Sequence, residues 1–515
     1  MCSMIGNQYR FMAVRLVVYL VVLTGGVLVA AGLGVFPWWP TIIQAVALPP
    51  FDLFHDIRVF MGESVSYPGF VLSVLIATAL RAAALSWLLA GTNRRRYVQT
   101  LRFVLKFYAI ALPGMLLAAG ASFAGGATLY FGFFWAGMLI AALVFVLMAP
   151  MPWARSFAFW RSGAGIVAAV GYLGVQGVLG MLAHLDVAAA FVLSVAATGV
   201  FMLFMSKRFV VWRYALALPV LVFFVWLFGM AIGGPSQPRY DIALGGVQPR
   251  EGSLVMMSGI DSSSGDGAIF EVDPRAFGYL CGQVHYYSYA GPGDGAPQED
   301  AVCPIRSGAP YGPDDTYREL DELVPWFVEQ VADLPEPITV ITHSQGVWVV
   351  HEALTRNDAP EVDHIIYVGP FPDNWVGYPP DDARGSGVVG RGFLWLVSGI
   401  ARPGGTAAFR PDQPLAETLL ASPDEVESLM QRPLPDDIGA LSVQSVFDLP
   451  LIQTRDLPYA LDACPVPIVH PNLPYSPELH GNVRDFLDGE PVGEQCPPLY
   501  AVLGPALRPF GQPPN

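Results

Sequence analysis

Charge is scarce in this chain and unevenly placed. Of its 515 residues only 14% are Asp, Glu, Lys or Arg, against 53% hydrophobic. The first 235 residues hold just four acids, Asp52, Asp56, Glu63 and Asp186, beside 14 Lys or Arg, a net of +10. The rest holds 14 basic and 39 acidic residues, a net of −25, with no lysine after Lys207. A water-solvated surface carries both signs interspersed, so the first part is excluded as an ordinary soluble domain. Length alone calls for at least two domains. Cysteine is rare as well, five residues with no Cys-x-x-Cys pair and no Cys/His cluster, which gives no zinc signature. Internal repeats and low-complexity tracts are absent. No cofactor and no nucleic-acid partner are expected.

What the first part does have is long apolar runs. An apolar stretch of about 20 residues crosses a bilayer as helix, because its backbone groups find no water there. Seven stretches qualify: 14–35, 69–90, 107–124, 128–148, 164–185, 188–205 and 214–232. Lys and Arg collect in 91–106, 150–162 and 206–214. Basic loops stay cytoplasmic, so the N-terminus is expected inside the cytoplasmic membrane and everything after Ile232 outside. A cleaved signal peptide is the alternative for the first stretch, with Arg10 and Arg15 ahead of its apolar core. Arg81 falls near the middle of the second stretch, where a charge is costly unless it pairs or snorkels and hints at function; the preferred reading is an arginine that faces a wet crevice or the bundle interior. No acid is expected at its depth, which argues against a proton-coupled transporter. Cys2 falls on the inner side; Cys281, Cys303, Cys464 and Cys496 fall outside. That even number predicts two disulfides, Cys281 with Cys303 and Cys464 with Cys496.

Beyond residue 235 the pattern changes to alternating strands and helices. GSLVMMSG, QVHYYSYAG, PITVITH, HIIYVG, LSVQSVF and CPVPIVH read as strands; PDDTYRELDELVPWFVEQVADL, GVWVVHEALTRN and NVRDFLDG read as helices. Such alternation predicts a mostly parallel sheet covered on both faces. The expected architecture is a membrane bundle of about seven helices over 1–235, an α/β domain over 236–495 with a Gly/Pro-rich insertion at 371–438 that reads as a lid, and a Pro-rich tail over 496–515.

Ser344 lies in TVITHSQGVWVV, between a strand and a helix. That context is what a serine nucleophile requires: a sharp turn lifts the hydroxyl above the sheet edge, and the N–H of Gln345 lies at a helix N-terminus where negative charge is favoured. The first position of the motif is Thr342 rather than Gly. A serine needs a base and the base an orienting carboxylate, in the chain order Ser, acid, His. Asp448 follows LSVQSVF, with Asp456 and Asp373 as alternatives. His480 lies in YSPELHGNV, expected to be a loop, with His470 as its competitor and the more structural of the two. Ile260, in SGIDSSS after the first strand, is the candidate second oxyanion donor. His343 reads as a packing residue.

With THSQG at 342–346, YSYAG at 287–291 and DTY at 315–317, the sequence resembles the α/β-hydrolase superfamily, specifically its bacterial esterase and lipase-like members. The resemblance covers roughly residues 250–490 and none of the membrane half. It implies a serine ester hydrolase with Ser344 as nucleophile, His480 as base, Asp448 as orienter, and Gln345 with Ile260 as oxyanion donors. The expected partners are a lipid or acyl-ester substrate and membrane lipids. An acyltransferase using the same triad is one alternative; a seven-span transport or lipid-binding module carrying an inactive hydrolase-like domain is the other.

Overall fold

The computed structural model describes residues 14–26, 28–29, 49, 51–127, 172, 175, 187–206, 249–298, 301–370, 388–390, 392, 415, 428–445, 457–466, 468 and 470–492. Its C-terminal part is built on a six-stranded sheet. The strands are β1 (Ser253–Met257), β2 (Val284–Tyr286), β3 (Ile338–His343), β4 (Val362–Val368), β5 (Gly439–Val443) and β6 (Leu461–Asp462), in the order β2-β1-β3-β4-β5-β6. Every pairing is parallel. Parallel strands need crossovers that bury both faces, and β1 and β3 are buried along their whole length.

The covering helices follow from local chemistry. The helix Leu320–Val331 buries Leu323, Val324, Phe327 and Val331 at helical spacing, and packs on the helix Gly346–Thr355 that follows β3. The last helix, Pro477–Leu487, starts earlier than the sequence pattern indicated. Ser476 caps it by accepting from the N–H of Leu479, and Pro477 sits where a helix tolerates proline. His480 therefore lies in a helix rather than the expected loop. Along β4, His364 meets Phe486 of this last helix while Tyr367, three residues on, meets His351 of the helix after β3. Residues an odd number apart point to opposite faces, so the two helices cover opposite sides of the sheet. Among its described residues, CPVPIVH contributes a bridge at Val466, opposite Ser445, and no strand. Pro465 and Pro467 have no N–H to offer a ladder.

Strand order reverses between β1 and β3: the connection from β1 leads to one side and the next to the other. In open parallel sheets this switch point leaves a crevice at the carboxyl ends of the strands, where ligands bind. Ser344 and the loop after β1 both lie there.

The N-terminal part is helical. Number its helices α1 (Val14–Gly26), α2 (Phe51–Glu63), α3 (Tyr67–Ala90), α4 (Arg94–Ala127) and α5 (Val187–Ser206). Two helices, Tyr67–Ala90 and Arg94–Gly120 within α4, are long and apolar enough to cross a membrane; at 1.5 Å per residue α3 alone reaches about 36 Å. Ser66 and Gly91 bound α3 as caps. Its outward face, Val71, Leu72, Leu75, Ile76 and Leu80, is more than half exposed, an apolar stripe that water does not favour. Seven spans are not what the described residues show. Stretches 128–148 and 214–232 lie outside them, as do parts of 14–35 and nearly all of 164–185.

Helix α2 shows what Arg81 meets in the bundle interior and corrects the expectation that no acid lies at its depth. At 13 residues it escaped a search for long apolar runs, yet it is buried, and it brings acids to the depth at which none was expected. Arg81 donates from Nε and Nη2 to both oxygens of Asp56, at 2.6 and 2.7 Å. Asp52 accepts from the hydroxyl of Tyr108 in α4 at 2.5 Å and from the N–H of Leu53 at 2.8 Å. All four side chains are at least nine-tenths buried, so the ionised groups satisfy one another where water does not.

Candidate functional site

Between the end of β3 at His343 and the helix at Gly346 the chain reverses in two residues. Ser344 makes the reversal with a φ of 59°, a left-handed conformation that costs a residue with a Cβ about 1–2 kcal/mol. Such strain persists only where the surroundings impose it, and it concentrates at functional sites. The Ser344 N–H donates to the Val368 carbonyl at 2.9 Å, tying the turn to the end of β4, and the Val347 N–H donates to the Ser344 carbonyl at 3.1 Å. Two glycines make the room. A methyl group on Gly259 would lie 2.6 Å from Ser344 Cβ, and one on Gly346 would lie 2.7 Å from Thr342 Oγ1. The missing first glycine of the motif is thereby explained: Thr342 directs its hydroxyl into space that Gly346 leaves free. Gln345 begins the helix with right-handed backbone, and the first N–H groups of a helix have no acceptor within it.

Across the crevice, the loop after β1 is held at several points. The Tyr289 hydroxyl donates to the Ser258 carbonyl at 2.6 Å, and the Ser262 hydroxyl to the Gly259 carbonyl at 2.7 Å. Asp261, left-handed at φ 61°, donates its N–H to Thr316 Oγ1 at 3.1 Å. Ile260 sits between these anchors, half-buried, directly after the glycine that touches Ser344.

The two candidate histidines occupy different places. His480, on the last helix, bonds Pro474 O through Nε2 at 2.8 Å, which makes that nitrogen the donor, and its ring meets Phe277 edge-on with centroids 5.1 Å apart. Burial pushes its pKa down to about 4, from 6.5, with further repulsion from Arg484. Phe277 belongs to the segment leading into Gly278, whose carbonyl accepts from Arg250 ahead of β1, toward the opposite end of the strands from Ser344. His470 instead lies beside the reversal. Its carbonyl accepts from Nε2 of His343 at 3.0 Å, and the two rings lie 4.9 Å apart. A methyl group on Gly369, the residue after Val368, would lie 2.7 Å from His470 Cε1 and 2.8 Å from Nδ1. Residues on both sides of Ser344's anchorage thus touch His470. His343 is a clip: burial first, and then repulsion from His470, push its pKa down to about 3.

The signal for His470 was its place directly after the last sheet-paired residues, ahead of the capped helix that takes His480 away. Nothing in the residue type of Thr316, in the DTY segment, marks it as an anchor of the loop after β1. Asp448, Asp456 and Asp373 lie outside the described residues. The disulfide Cys281–Cys303 is present, with Cα atoms 5.2 Å apart. Cys464 is also disulfide-bonded, whereas Cys496 and Cys2 lie outside the described residues. Among the described residues no group of three or more His, Cys, Asp or Glu side chains is arranged to hold a metal ion. Comparisons with protein-family models, with characterised proteins and with solved structures gave no match, so the chemistry rests on the geometry of the site.

Proposed function

We propose that this chain is a membrane-anchored serine hydrolase that cleaves a carboxylic ester of a lipid or of the cell envelope outside the cytoplasmic membrane. The observation that carries the reading is Ser344 held in left-handed backbone at the switch point, against the loop after β1. Ser344 Oγ attacks the ester carbonyl while His470 takes its proton. The N–H groups of Gln345 and Ile260 receive the charge that develops on the carbonyl oxygen. His470 returns the proton to the departing alcohol, and water then hydrolyses the acyl-enzyme by the same steps. Asp448 is the carboxylate that orients the base. His470 replaces His480 in this scheme because Nε2 of His480 is committed to a carbonyl and its ring to Phe277.

The outward placement draws support from the basic end of α3. Gly91 closes that helix against the guanidinium of Arg15, and Arg94, Arg95 and Arg96 follow at the same end. Gathered basic residues mark a cytoplasmic face. The disulfide after the spans agrees with an oxidising compartment on the other side.

A fluorophosphonate probe added to the detergent-solubilised full-length protein tests the reading. Wild type and His480→Ala should label; Ser344→Ala and His470→Ala should not. Labelling that survives Ser344→Ala refutes the hydrolase reading, and loss of labelling in His480→Ala but not His470→Ala returns the base to His480. Product analysis with competing alcohols separates hydrolysis from acyl transfer.

A further inference from the structure

The sequence reading left Thr316 without a role, and the hydrogen bonds around it supply one. We infer that Thr316 is a positioning residue, whose hydroxyl fixes the loop after β1 so that the Ile260 N–H serves as an oxyanion donor. The inference rests on the serine-hydrolase reading of Ser344 and adds to it a residue on a different element, outside the triad.

Thr316 is fully buried on a single turn, Pro313–Tyr317. Its hydroxyl has one proton, and that proton is donated to the Pro313 carbonyl at 2.7 Å. The oxygen's lone pairs are thereby turned outward, and one accepts from the Asp261 N–H at 3.1 Å. A hydroxyl oriented in this way receives a donor from a fixed direction.

The consequence reaches Ile260 because it directly precedes Asp261 and directly follows Gly259, the residue against Ser344. In this loop the N–H groups of Asp261, Ser263 and Ser264 are committed to Thr316 Oγ1, Asp266 O and Tyr311 O. The carbonyls of Ser258 and Gly259 are committed to Tyr289 and Ser262. Asp261 holds positive φ, which a non-glycine residue keeps only where its neighbours enforce it. Thr316 supplies the tie at that residue; without it the backbone around Asp261 relaxes, and Ile260, the residue directly before it, shifts with its N–H. The donor then leaves the place where the oxyanion forms. Misplacement of about 1 Å can cost roughly a hundredfold in rate, and loss of an oxyanion donor about a hundred- to a thousandfold.

The test measures the rate of phosphonylation by a fluorophosphonate probe over a range of probe concentrations, with the full-length protein in detergent. Phosphonylation passes through the same developing oxyanion as acylation. Thr316→Val, which keeps shape but removes both hydrogen bonds, should lower the limiting rate about ten- to a hundredfold and leave the half-saturating concentration unchanged. Thr316→Ser, which keeps the hydroxyl, should restore most of the rate. Should Thr316→Val fail to fold, Thr316→Ala provides the same readout. A limiting rate for Thr316→Val or Thr316→Ala equal to wild type overturns the inference, as does a Thr316→Ser variant as slow as the valine. Those outcomes leave the serine-hydrolase reading intact, because that reading falls only if wild type does not label or if Ser344→Ala does.

Discussion

Replacing Ser344 with glycine should make the protein more stable while destroying its reactivity. The residue holds φ at 59°, and a Cβ there costs about 1–2 kcal/mol relative to glycine. Against that relief stands the greater freedom glycine gives the unfolded chain, about 0.4–1 kcal/mol. Net stabilisation of about 0.5–1 kcal/mol remains. At roughly 2–4 °C per kcal/mol for a domain of this size, that is a rise of about 1–4 °C in Tm. Alanine supplies the control, because it removes the same hydroxyl but retains the Cβ and hence the strain. Thermal unfolding of the three full-length proteins under identical detergent conditions, followed by a probe in the sheet domain, gives the comparison. Both variants should be inert to fluorophosphonate, and the glycine variant should melt above the alanine variant. A glycine variant that melts at or below alanine would refute the reasoning: the left-handed turn would then be neither strained nor imposed by its surroundings.

Breaking the buried pair in the N-terminal helical part by Arg81→Met should cost about 3–5 kcal/mol, because it strands the Asp56 carboxylate. Arg81→Met with Asp56→Leu should recover most of that loss in detergent unfolding. Removing the Cys281–Cys303 bridge, which closes a separation of 22 residues, with Cys281→Ser and Cys303→Ser together should destabilise the sheet domain by about 3 kcal/mol, read as a lower Tm than wild type without reductant. Burial depresses the imidazoles of His480 to about 4 and of His343 to about 3, below the ordinary 6.5. The unfolded chain therefore binds these protons first, and the stability they confer is complete above about pH 6.5 and lost as pH falls toward 4. His480→Gln should flatten that part of the curve of unfolding free energy against pH.

The sheet was legible because its strands announce themselves locally. ITVITH is apolar, β-branched and bounded by Pro337 on one side and the small residues of the turn on the other. The helix after it carries a continuous buried face. CPVPIVH misled because its apolar content matched a strand while its two prolines removed the donors that pairing needs; among its described residues only Val466 reaches the ladder. His480 misled for a related reason. A histidine between a strand and a helix looks like a loop residue, but Ser476 and Pro477 start the helix three residues before it, and helical geometry carries its ring to Phe277.

The N-terminal helices were legible only where apolarity alone decides structure. α3 and the apolar part of α4 after Lys106 are such cases. α2 is not, since Asp52, His55, Asp56 and Arg58 within 13 residues look like a surface segment. What buries it is information held elsewhere, in Arg81 of α3 and Tyr108 of α4, which present matching groups to its acids. A charge pattern read along one segment sees the desolvation cost and not the compensation. The same limit applied to Thr316 and Ile260, whose relation is carried by one hydrogen bond across 55 residues of sequence. Where a strand, a turn and a helix follow one another in the chain, as around Ser344, sequence exposes the chemistry; where partners come from distant segments, as Gly259 and Val368 do at that turn, only the fold does.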